Sequence, residues 1–276
     1  MKIASRCLSP LRRPSFPIQV QSDLHLELGH QYATYRFPAT APFLLLAGDV
    51  GCLKDYAAYK NFLSAQASRF DRIFLVLGNH EFHGSEYQDA IATAKSLCQE
   101  PCLDDKVTLL HKTRWDDPAS EFTILGCTLW SRVMETATET AQRRVSDFSS
   151  ISHWTVEMHN QRHHDESSWL FEQVDILRQL NRRVLIATHH APLLSNTASP
   201  RHHDSPIKSC FGTDLIGQHS LPGVKTWVFG HTHYNTDFQH TGIRVLANQR
   251  GYVYPEKRQG REQGECQFDA AKFIQA

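Results

Sequence analysis

The sequence has no excess of charge of either sign, because 29 lysine and arginine residues balance 29 aspartate and glutamate residues in a chain of 276. Proteins that bind nucleic acid or anionic membranes non-specifically need clustered basic side chains to neutralise phosphates. The chain also has no basic stripe with interleaved aromatic residues of the kind that follows a single nucleic-acid strand. Nucleic acid is therefore not an expected partner, and a substrate must be held by a local site.

Long hydrophobic runs are missing as well. No stretch approaches the roughly 18 apolar residues that a membrane-spanning helix needs, and the N-terminus lacks the apolar core of a secretory signal. The seven cysteines are odd in number, and only Cys98 and Cys102 lie close together, so no disulfide framework is predicted. These absences favour a cytoplasmic protein without a membrane partner.

The first 17 residues differ in composition from the rest. They contain four basic residues and no acidic residue, which leaves an organellar location, reached through a basic N-terminal extension, as the weaker alternative. Prolines at 10, 14 and 17 would interrupt any long amphipathic helix, so we interpret residues 1–17 as a flexible extension. Residues 18–276 have no internal repeat, low-complexity tract or linker rich in Pro, Gly or Ser, which predicts a single domain.

Short apolar runs that end at polar or glycine-containing turns predict buried strands. They are residues 17–21, 43–47, 72–77, 122–125, 183–187, 225–229 and 243–247. Apolar residues at helical spacing lie between several of them, over 53–70, over 85–99 after a capping-box pattern at Ser85 and Gln88, and around 169–180. Strands that alternate with helices predict an α/β fold, and the last two strands are close enough in sequence to pair directly.

Two segments show little periodicity. Residues 132–168 are polar until the helical pattern near Trp169, and residues 193–220 read as a long loop. Loops of that length in compact domains are usually functional or mobile, so we expect the second segment to form a rim or lid. The paired histidines at 163–164 and 202–203 do not follow a predicted strand, and we interpret both pairs as exposed loop residues.

Histidine is abundant, with 17 residues, and part of this abundance lies directly after predicted strands. Five four-residue segments hold Asp, Asn or His at nine of twenty positions, against about three expected from the composition. The segments are SDLH at 22–25, GDVG at 48–51, GNHE at 78–81, THHA at 188–191 and GHTH at 230–233. Because the carboxyl ends of strands form the ligand-binding crevice of layered α/β folds, the pattern predicts a metal site, or more than one.

The series SDLH, GD, GNHE, THH and GHTH resembles the five sequence blocks of the calcineurin-like metallophosphoesterase superfamily, and it covers residues 18 to about 254. The segment TLWS at 128–131 and the tail GHTHYNTDF…RVLANQRGY at 230–252, with the residues up to 254, resemble a subgroup of small phosphoesterases of cytosolic type. The resemblance implies a four-layer α/β/β/α sandwich of two mixed sheets with a dinuclear metal centre at its edge.

The resemblance also implies a set of metal ligands. Asp23 and His25 would bind the first metal together with His233, and Asp49 would bridge both metals and share in catalysis. The ligands of the second metal would be Asn79, His189 and His231. The adjacent His190 leaves the fourth block ambiguous, and we favour His189. His80 would face the substrate without binding metal.

Elementary chemistry supports these roles. With Asp49 counted for both ions, each metal receives four protein ligands, which leaves room for a shared hydroxide and a phosphate oxygen. Two cations about 3.5–4 Å apart lower the pKa of the water between them and stabilise an in-line displacement at phosphorus. Imidazole, carboxylate and amide ligands without thiolate suit Mn, Fe, Zn, Co or Ni. An imidazole at His80 can protonate the departing alkoxide near neutral pH.

Other residues are weaker candidates. Arg250 could place its guanidinium on a substrate phosphate, and Asn235 could contact substrate or fix the turn. Glu81 could orient metal ligands, as carboxylates often do. His83 and Asp147 lie in plausible neighbourhoods, and we do not assign either to the site.

Together these features predict an enzyme, a dinuclear metal-dependent phosphoesterase that hydrolyses a small-molecule phosphate ester by attack of a metal-bridging hydroxide. A diester is slightly favoured over a monoester, because Arg250 is the only cation that the sequence places near the metals, and a monoester carries more charge. The alternatives are a non-catalytic scaffold of the same fold and a metal-dependent hydrolase or lyase for another kind of substrate. The sequence makes no prediction of the oligomeric state.

Overall fold

The computed structural model describes residues 16–254 and 267–276. Its strands form two sheets. In spatial order, the first consists of β11 (Phe273–Gln275), β1 (Pro17–Gln21), β2 (Phe43–Ala47), β3 (Arg72–Val76) and β4 (Val107–Leu110). The second consists of β5 (Thr113–Asp116), β6 (Phe122–Cys127), β7 (Arg183–Thr188), β8 (Val224–Phe229), β10 (Ile243–Ala247) and β9 (Thr236–His240).

Both sheets are parallel except at three of their four edge strands. Strands β1 to β4 run parallel in the first sheet, as do β6, β7, β8 and β10 in the second. The antiparallel strands are β11, β5 and β9, each at an edge. The seven predicted strands correspond to β1, β2, β3, β6, β7, β8 and β10 within two residues at each end. The predicted direct pairing of the last two is confirmed, with β9 in the connection between them.

Five α-helices accompany the sheets in the described part of the chain. They are α1 (Tyr56–Ala67), α2 (Tyr87–Cys98), α3 (Thr138–Arg144), α4 (Asp147–Ser150) and α5 (Val156–Gln179). Helix α2 has Glu86 at its N-cap without a side-chain cap, so the predicted capping box at Ser85 was wrong. Helix α5 begins where the Thr155 hydroxyl accepts the Met158 N–H, at 3.2 Å.

The start of α5 corrects two expectations. The helix begins 13 residues before Trp169, inside the segment that shows little periodicity in the sequence. His163 and His164 lie on it, and His163 is buried with its Nδ1 3.0 Å from the carbonyl oxygen of Leu129. The interpretation of this pair as loop residues was therefore wrong. Residues 193–220 do form a long loop, with two short 3-10 turns and no named strand.

The hydrophobic core forms three layers between four layers of secondary structure. Along β2, Leu45 packs between the two sheets, whereas Leu44 and Leu46 belong to the cluster under α1 and α2. On the far side, Leu170 and Val174 of α5 pack against the outer face of the second sheet. The α/β/β/α sandwich of two mixed sheets that the resemblance implied is confirmed.

The predicted N-terminal extension lies outside the described residues except for its last two. Phe16 is 5% exposed and packs in the core between the sheets, and Pro17 begins β1. The ordered domain therefore includes both residues. Among the described residues, no helix is both long and apolar enough to cross a membrane.

Candidate metal centre

The five segments rich in Asp, Asn and His follow β1, β2, β3, β7 and β8, so three come from the first sheet and two from the second. All five strands are parallel members of their sheets, and their carboxyl ends meet at one edge of the sandwich. The site therefore straddles the two sheets, and it brings together side chains up to 210 positions apart in the sequence.

The backbone turns sharply at this edge. Five of the residues have left-handed φ angles of 46 to 71°, although none is glycine: Asp23, His25, Asp49, His231 and His233. Such conformations are costly for residues with a Cβ and are found where the surrounding structure imposes them, often at functional sites. Here they turn successive side chains of a strand end toward the same space.

Asp23, His25 and His233 form the first group of possible ligands, with one donor atom from each within 4.8 Å of the others. The Nε2 atoms of His25 and His233 lie 2.9 Å apart, and His233 Nε2 lies 3.4 Å from Asp23 Oδ1. The His231 N–H donates to both Asp23 oxygens, at 3.0 and 3.1 Å, and fixes that carboxylate.

Asp49, His189 and His231 form the second group, which meets the same distance limit. His189 Nε2 lies 3.4 Å from Asp49 Oδ2 and 3.0 Å from Asn79 Oδ1, so Asn79 joins this group. Asp49 Oδ2 also lies 3.7 Å from His25 Nε2 of the first group. Asp49 is thus the carboxylate that faces both groups.

Burial and neighbouring charges act against each other in the second group. Burial alone would raise the pKa of Asp49, but His189 and His80 outweigh it and hold this pKa well below its usual range. Burial would lower the pKa of His189, whereas the Asp49 carboxylate raises it to about 9. For His231 burial prevails, helped by the nearby His189, and lowers the pKa to about 3. Asp49 is therefore ionised and His231 neutral, which are the forms that bind metal ions, whereas His189 has to lose its proton to bind one.

The structure separates the two adjacent histidines of the fourth block. His189 enters the second group, and its Nδ1 lies 3.0 Å from the carbonyl oxygen of Ala47, which orients the ring. His190 is fully buried between the rings of Trp130 and His231, at centroid distances of 5.4 and 4.0 Å. His189 is therefore the member of the pair that lies beside Asp49.

Glu81 has a clear structural task. Its fully buried carboxylate accepts the backbone N–H groups of Asp49, Val50, Gly51 and Gly78, at 2.6 to 3.2 Å. Burial raises its pKa to about 7, with the nearby Asp49 acting in the same direction. Glu81 thus holds the backbone that presents the Asp49 carboxylate, a position from which it can orient this predicted ligand.

His80 lies beside the two ligand groups and belongs to neither, although it forms a third set of possible metal-binding side chains with His25 and Glu27. Its backbone N–H donates to Asp49 Oδ1 at 2.9 Å, and its Nδ1 lies 2.9 Å from Glu27 Oε1. The same Glu27 oxygen lies 3.3 Å from His25 Nδ1. Burial would raise the pKa of Glu27, but the contacts with His25 and His80 lower it to about 2. Burial would lower the pKa of His80, but Asp49, with Cys52 and Glu27, raises it above its usual value.

Sequence reasoning missed Glu27. It stands two residues after His25 in the run DLHLE, a position that the strand-end count did not include. Its contact with His80 joins residues 53 positions apart, which no local pattern reveals. Tyr252 was missed for the same reason, and its hydroxyl lies 3.3 Å from His80 Nε2.

The two predicted substrate contacts are placed in structural roles. The Nδ2 of Asn235 donates to the carbonyl oxygen of Gln249 at 3.0 Å, and its Oδ1 accepts the Gln249 N–H, so Asn235 fixes a turn. Arg250 donates to the carbonyl oxygen of Leu24 and to Gln31 Oε1, at 3.0 and 2.6 Å, and packs over the Tyr35 ring. Direct contact of either residue with substrate stays a prediction.

Asp147 lies behind the second group. Its Oδ1 accepts from Asn79 Nδ2 at 2.8 Å, which leaves the amide oxygen directed at His189. The same atom lies 2.9 Å from His83 Nε2. Asp147 therefore orients a predicted ligand, a role that its place in a polar, aperiodic segment of the sequence did not indicate.

Carboxylate, amide and imidazole donors converge in two groups, and Asp49 of the second group also lies beside His25 of the first. This donor chemistry fits two metal ions of the first transition series or zinc. Fold and site together define a metal-dependent hydrolase with an α/β/β/α sandwich. The family profile of calcineurin-like phosphoesterases matches residues 16–235. The chain belongs to this family, and its general activity is the metal-dependent hydrolysis of phosphate esters.

Individual proteins are also similar to this chain, in sequence or in structure. The chain is 29% identical over 266 residues to uncharacterized protein L509 of Acanthamoeba polyphaga mimivirus, covering 84% of this chain and 90% of the viral protein. Phosphopantetheinyl hydrolase (PptH) from Mycobacterium tuberculosis superposes with a TM-score of 0.64 at 17% identity, covering 85% and 89% of the two chains. A dimetal phosphatase from Danio rerio gives a TM-score of 0.50 at 15% identity, covering 85% and 87%. At these identities the two structures establish the fold.

Proposed function

We propose that the protein hydrolyses a small-molecule phosphate ester, with a diester favoured over a monoester. The observation that carries this proposal is that Asp49 faces both ligand groups while its Oδ1 accepts the backbone N–H of His80. Asp23, His25, Asp49 and His233 would hold the first ion, and Asp49, Asn79, His189 and His231 would hold the second. When bound, two such ions activate a water molecule and stabilise the charge that develops on the phosphoryl oxygens.

The remaining steps fall to side chains of the chain itself. Glu27 accepts a hydrogen bond from His80 Nδ1, which fixes the ring and leaves Nε2 to act on the substrate. Nε2 can then give a proton to the oxygen of the departing alcohol. Such acid assistance is typically worth about 10²- to 10⁴-fold in rate.

The preference for a diester rests on charge. A diester has one negative charge on its phosphoryl group, whereas a monoester has up to two and needs more cations close to the metals. Arg250, the cation that the sequence suggested for this task, directs its guanidinium at Leu24, Gln31 and Tyr35. This placement supports diester hydrolysis.

The test is a turnover assay with p-nitrophenyl phosphate and bis(p-nitrophenyl) phosphate in the presence of Mn²⁺, Ni²⁺ or Zn²⁺, combined with elemental analysis. We expect two ions per chain and faster turnover of the diester. His80→Ala should keep both ions and lose about 10²- to 10⁴-fold in kcat. His164→Ala, an exposed histidine of α5, is the matched control and should behave like the wild type.

Two results would count against the proposal. Absence of turnover with every metal, despite two bound ions, would favour the scaffold or a non-phosphate substrate. Loss of metal from His80→Ala would show that His80 supports the ligands instead of the leaving group.

A further inference from the structure

The segment that follows β10 is fixed to both strand ends that supply the first ligand group. The Arg250 N–H donates to the carbonyl oxygen of Ser22 at 3.0 Å, directly before Asp23. Gln249 Oε1 accepts the His233 N–H at 2.5 Å, and Gln249 Nε2 donates to the Tyr234 carbonyl oxygen at 3.0 Å. This segment therefore keeps a defined position relative to the metal ligands.

Gly251, with a φ of 71°, turns the chain so that the next side chain, Tyr252, lies over the site. The Tyr252 ring packs on His25 and His233, at centroid distances of 4.4 and 4.5 Å. The residue nevertheless keeps 41% of its surface exposed, so it stands at the mouth of the site.

The hydroxyl of Tyr252 lies 3.3 Å from Nε2 of His80, the ring nitrogen that Glu27 does not occupy. In the proposed reaction this nitrogen faces the oxygen of the departing alcohol. A phenol O–H beside it can donate a hydrogen bond to that same oxygen. The ring contacts with His25 and His233 hold the phenol in this position before substrate binds.

From this geometry we infer that Tyr252 is a substrate-contacting residue of the leaving-group site, donating a hydrogen bond from its hydroxyl to the leaving-group oxygen alongside His80. The inference rests on the proposed function. In the step concerned, the bond from phosphorus to the leaving oxygen breaks and its electron pair stays on that oxygen. The proton comes from His80 Nε2, water supplies the new oxygen on phosphorus, and its surplus proton returns to His80 through solvent. Tyr252 keeps its own proton throughout.

A leaving-group donor is most important where the leaving oxygen develops the most charge. Phenyl and alkyl esters release anions that are more basic than p-nitrophenolate. The p-nitrophenolate leaving group therefore needs less stabilisation by a hydrogen bond. Tyr252→Phe should therefore reduce kcat/KM for the phenyl or alkyl ester by about tenfold more than for the p-nitrophenyl ester, as expected for one lost hydrogen bond. Its metal content should stay at the wild-type level.

Tyr254→Phe is the matched control, because Tyr254 is equally exposed and its hydroxyl makes no hydrogen bond within the residues that the structure describes. Tyr252→Leu adds a test of the ring and should raise KM as well. Both esters are to be of the type, monoester or diester, that the wild type hydrolyses faster.

The outcomes separate the two proposals. If the wild type hydrolyses no phosphate ester with any metal, the proposed function fails and this inference fails with it. If the wild type is active but Tyr252→Phe matches Tyr254→Phe, or slows both esters equally, the leaving-group role is wrong while the proposed function stands. Loss of metal from Tyr252→Phe would likewise overturn the inference, since it would reveal a structural role.

Discussion

Glu166 illustrates at the scale of a single residue what burial does to an ionisable group. It lies on α5, is 1% exposed, and its Oε2 accepts the N–H of Leu129 at 2.5 Å. Its Oε1 has no hydrogen-bond partner among the described residues. Burial raises the pKa of this carboxyl group from 4.5 to about 7, against the opposing effect of the Leu129 N–H. The folded state therefore favours the protonated carboxyl.

This shift makes stability depend on pH in a defined direction. Between pH 4.5 and about 7 the unfolded chain loses the Glu166 proton while the folded chain retains it, so the free energy of unfolding falls as pH rises. Glu166→Gln removes this dependence. The change that the substitution causes in the free energy of unfolding should be more favourable at pH 8 than at pH 4, by up to roughly 3 kcal/mol. Urea unfolding at both pH values is the measurement.

The exposed Glu172 on the same helix provides the control, because Glu172→Gln changes the same group in solvent. A gain from Glu166→Gln that is the same at both pH values would contradict the assignment of the shift to Glu166.

At this scale the sequence identifies residues only where they lie in local patterns. The density of Asp, Asn and His after strands singled out nine side chains, and all of them except His190 either belong to the two ligand groups or, like His80, lie directly beside them. Glu27 and Tyr252 carry no such mark, since their contacts with His80 depend on how three distant segments pack. Arg250 is the opposite case, because its chemistry suits a phosphate but packing directs it toward Gln31.

At the scale of elements, the turns after the strands determine where the ligands lie. Gly48, between β2 and Asp49, has a φ of 90°, and a Cβ added there would lie 2.6 Å from Cγ of His189. Gly78, after β3, approaches the Asp49 carboxylate so closely that a Cβ would overlap its Oδ1. Gly48 therefore permits segments from the two sheets to meet, and Gly78 permits two neighbouring strand ends of the first sheet to approach each other.

Gly48→Ala tests this close approach. The substitution should cost about 1–2 kcal/mol through its backbone conformation and should also displace His189 from the second ligand group. We expect fewer than two metal ions per chain by elemental analysis and a matching loss of activity. Gly242→Ala is the matched control, since Gly242 has a φ of 83° with no atom within 4 Å of the added Cβ. A full complement of metal in Gly48→Ala would contradict the steric argument.

At the scale of the whole molecule, central and edge strands differ in how well the sequence reveals them. Central parallel strands are covered on both faces, so they read as continuous apolar runs, and all of those found in the sequence are present in the structure. The missed strands are β4, β5, β9 and β11, all at sheet edges. An edge strand pairs with a neighbour on one side only, so it can be short or polar. This holds for the four missed strands, whose sequences are VTLL, TRWD, TDFQH and FIQ.

The last of these strands ties the C-terminus to the start of the fold. Strand β11 pairs with β1, which leads directly into Asp23 and His25. Ile274 lies opposite Ile18, is 2% exposed and packs in the core between the sheets. The neighbouring Phe273 is 48% exposed, as expected from the alternation of side chains along a strand.

This alternation provides the final prediction. Ile274→Ala should lower the free energy of unfolding by about 2–4 kcal/mol, because it leaves a cavity between the sheets. Phe273→Ala removes a larger side chain from the same strand and should change stability by less than about 1 kcal/mol, because it faces solvent. Urea unfolding of both variants at equal protein and metal concentrations is the measurement. Equal losses would show that β11 does not anchor the first sheet, whereas the expected difference would show that the C-terminal residues help to hold β1 and the ligands that follow it.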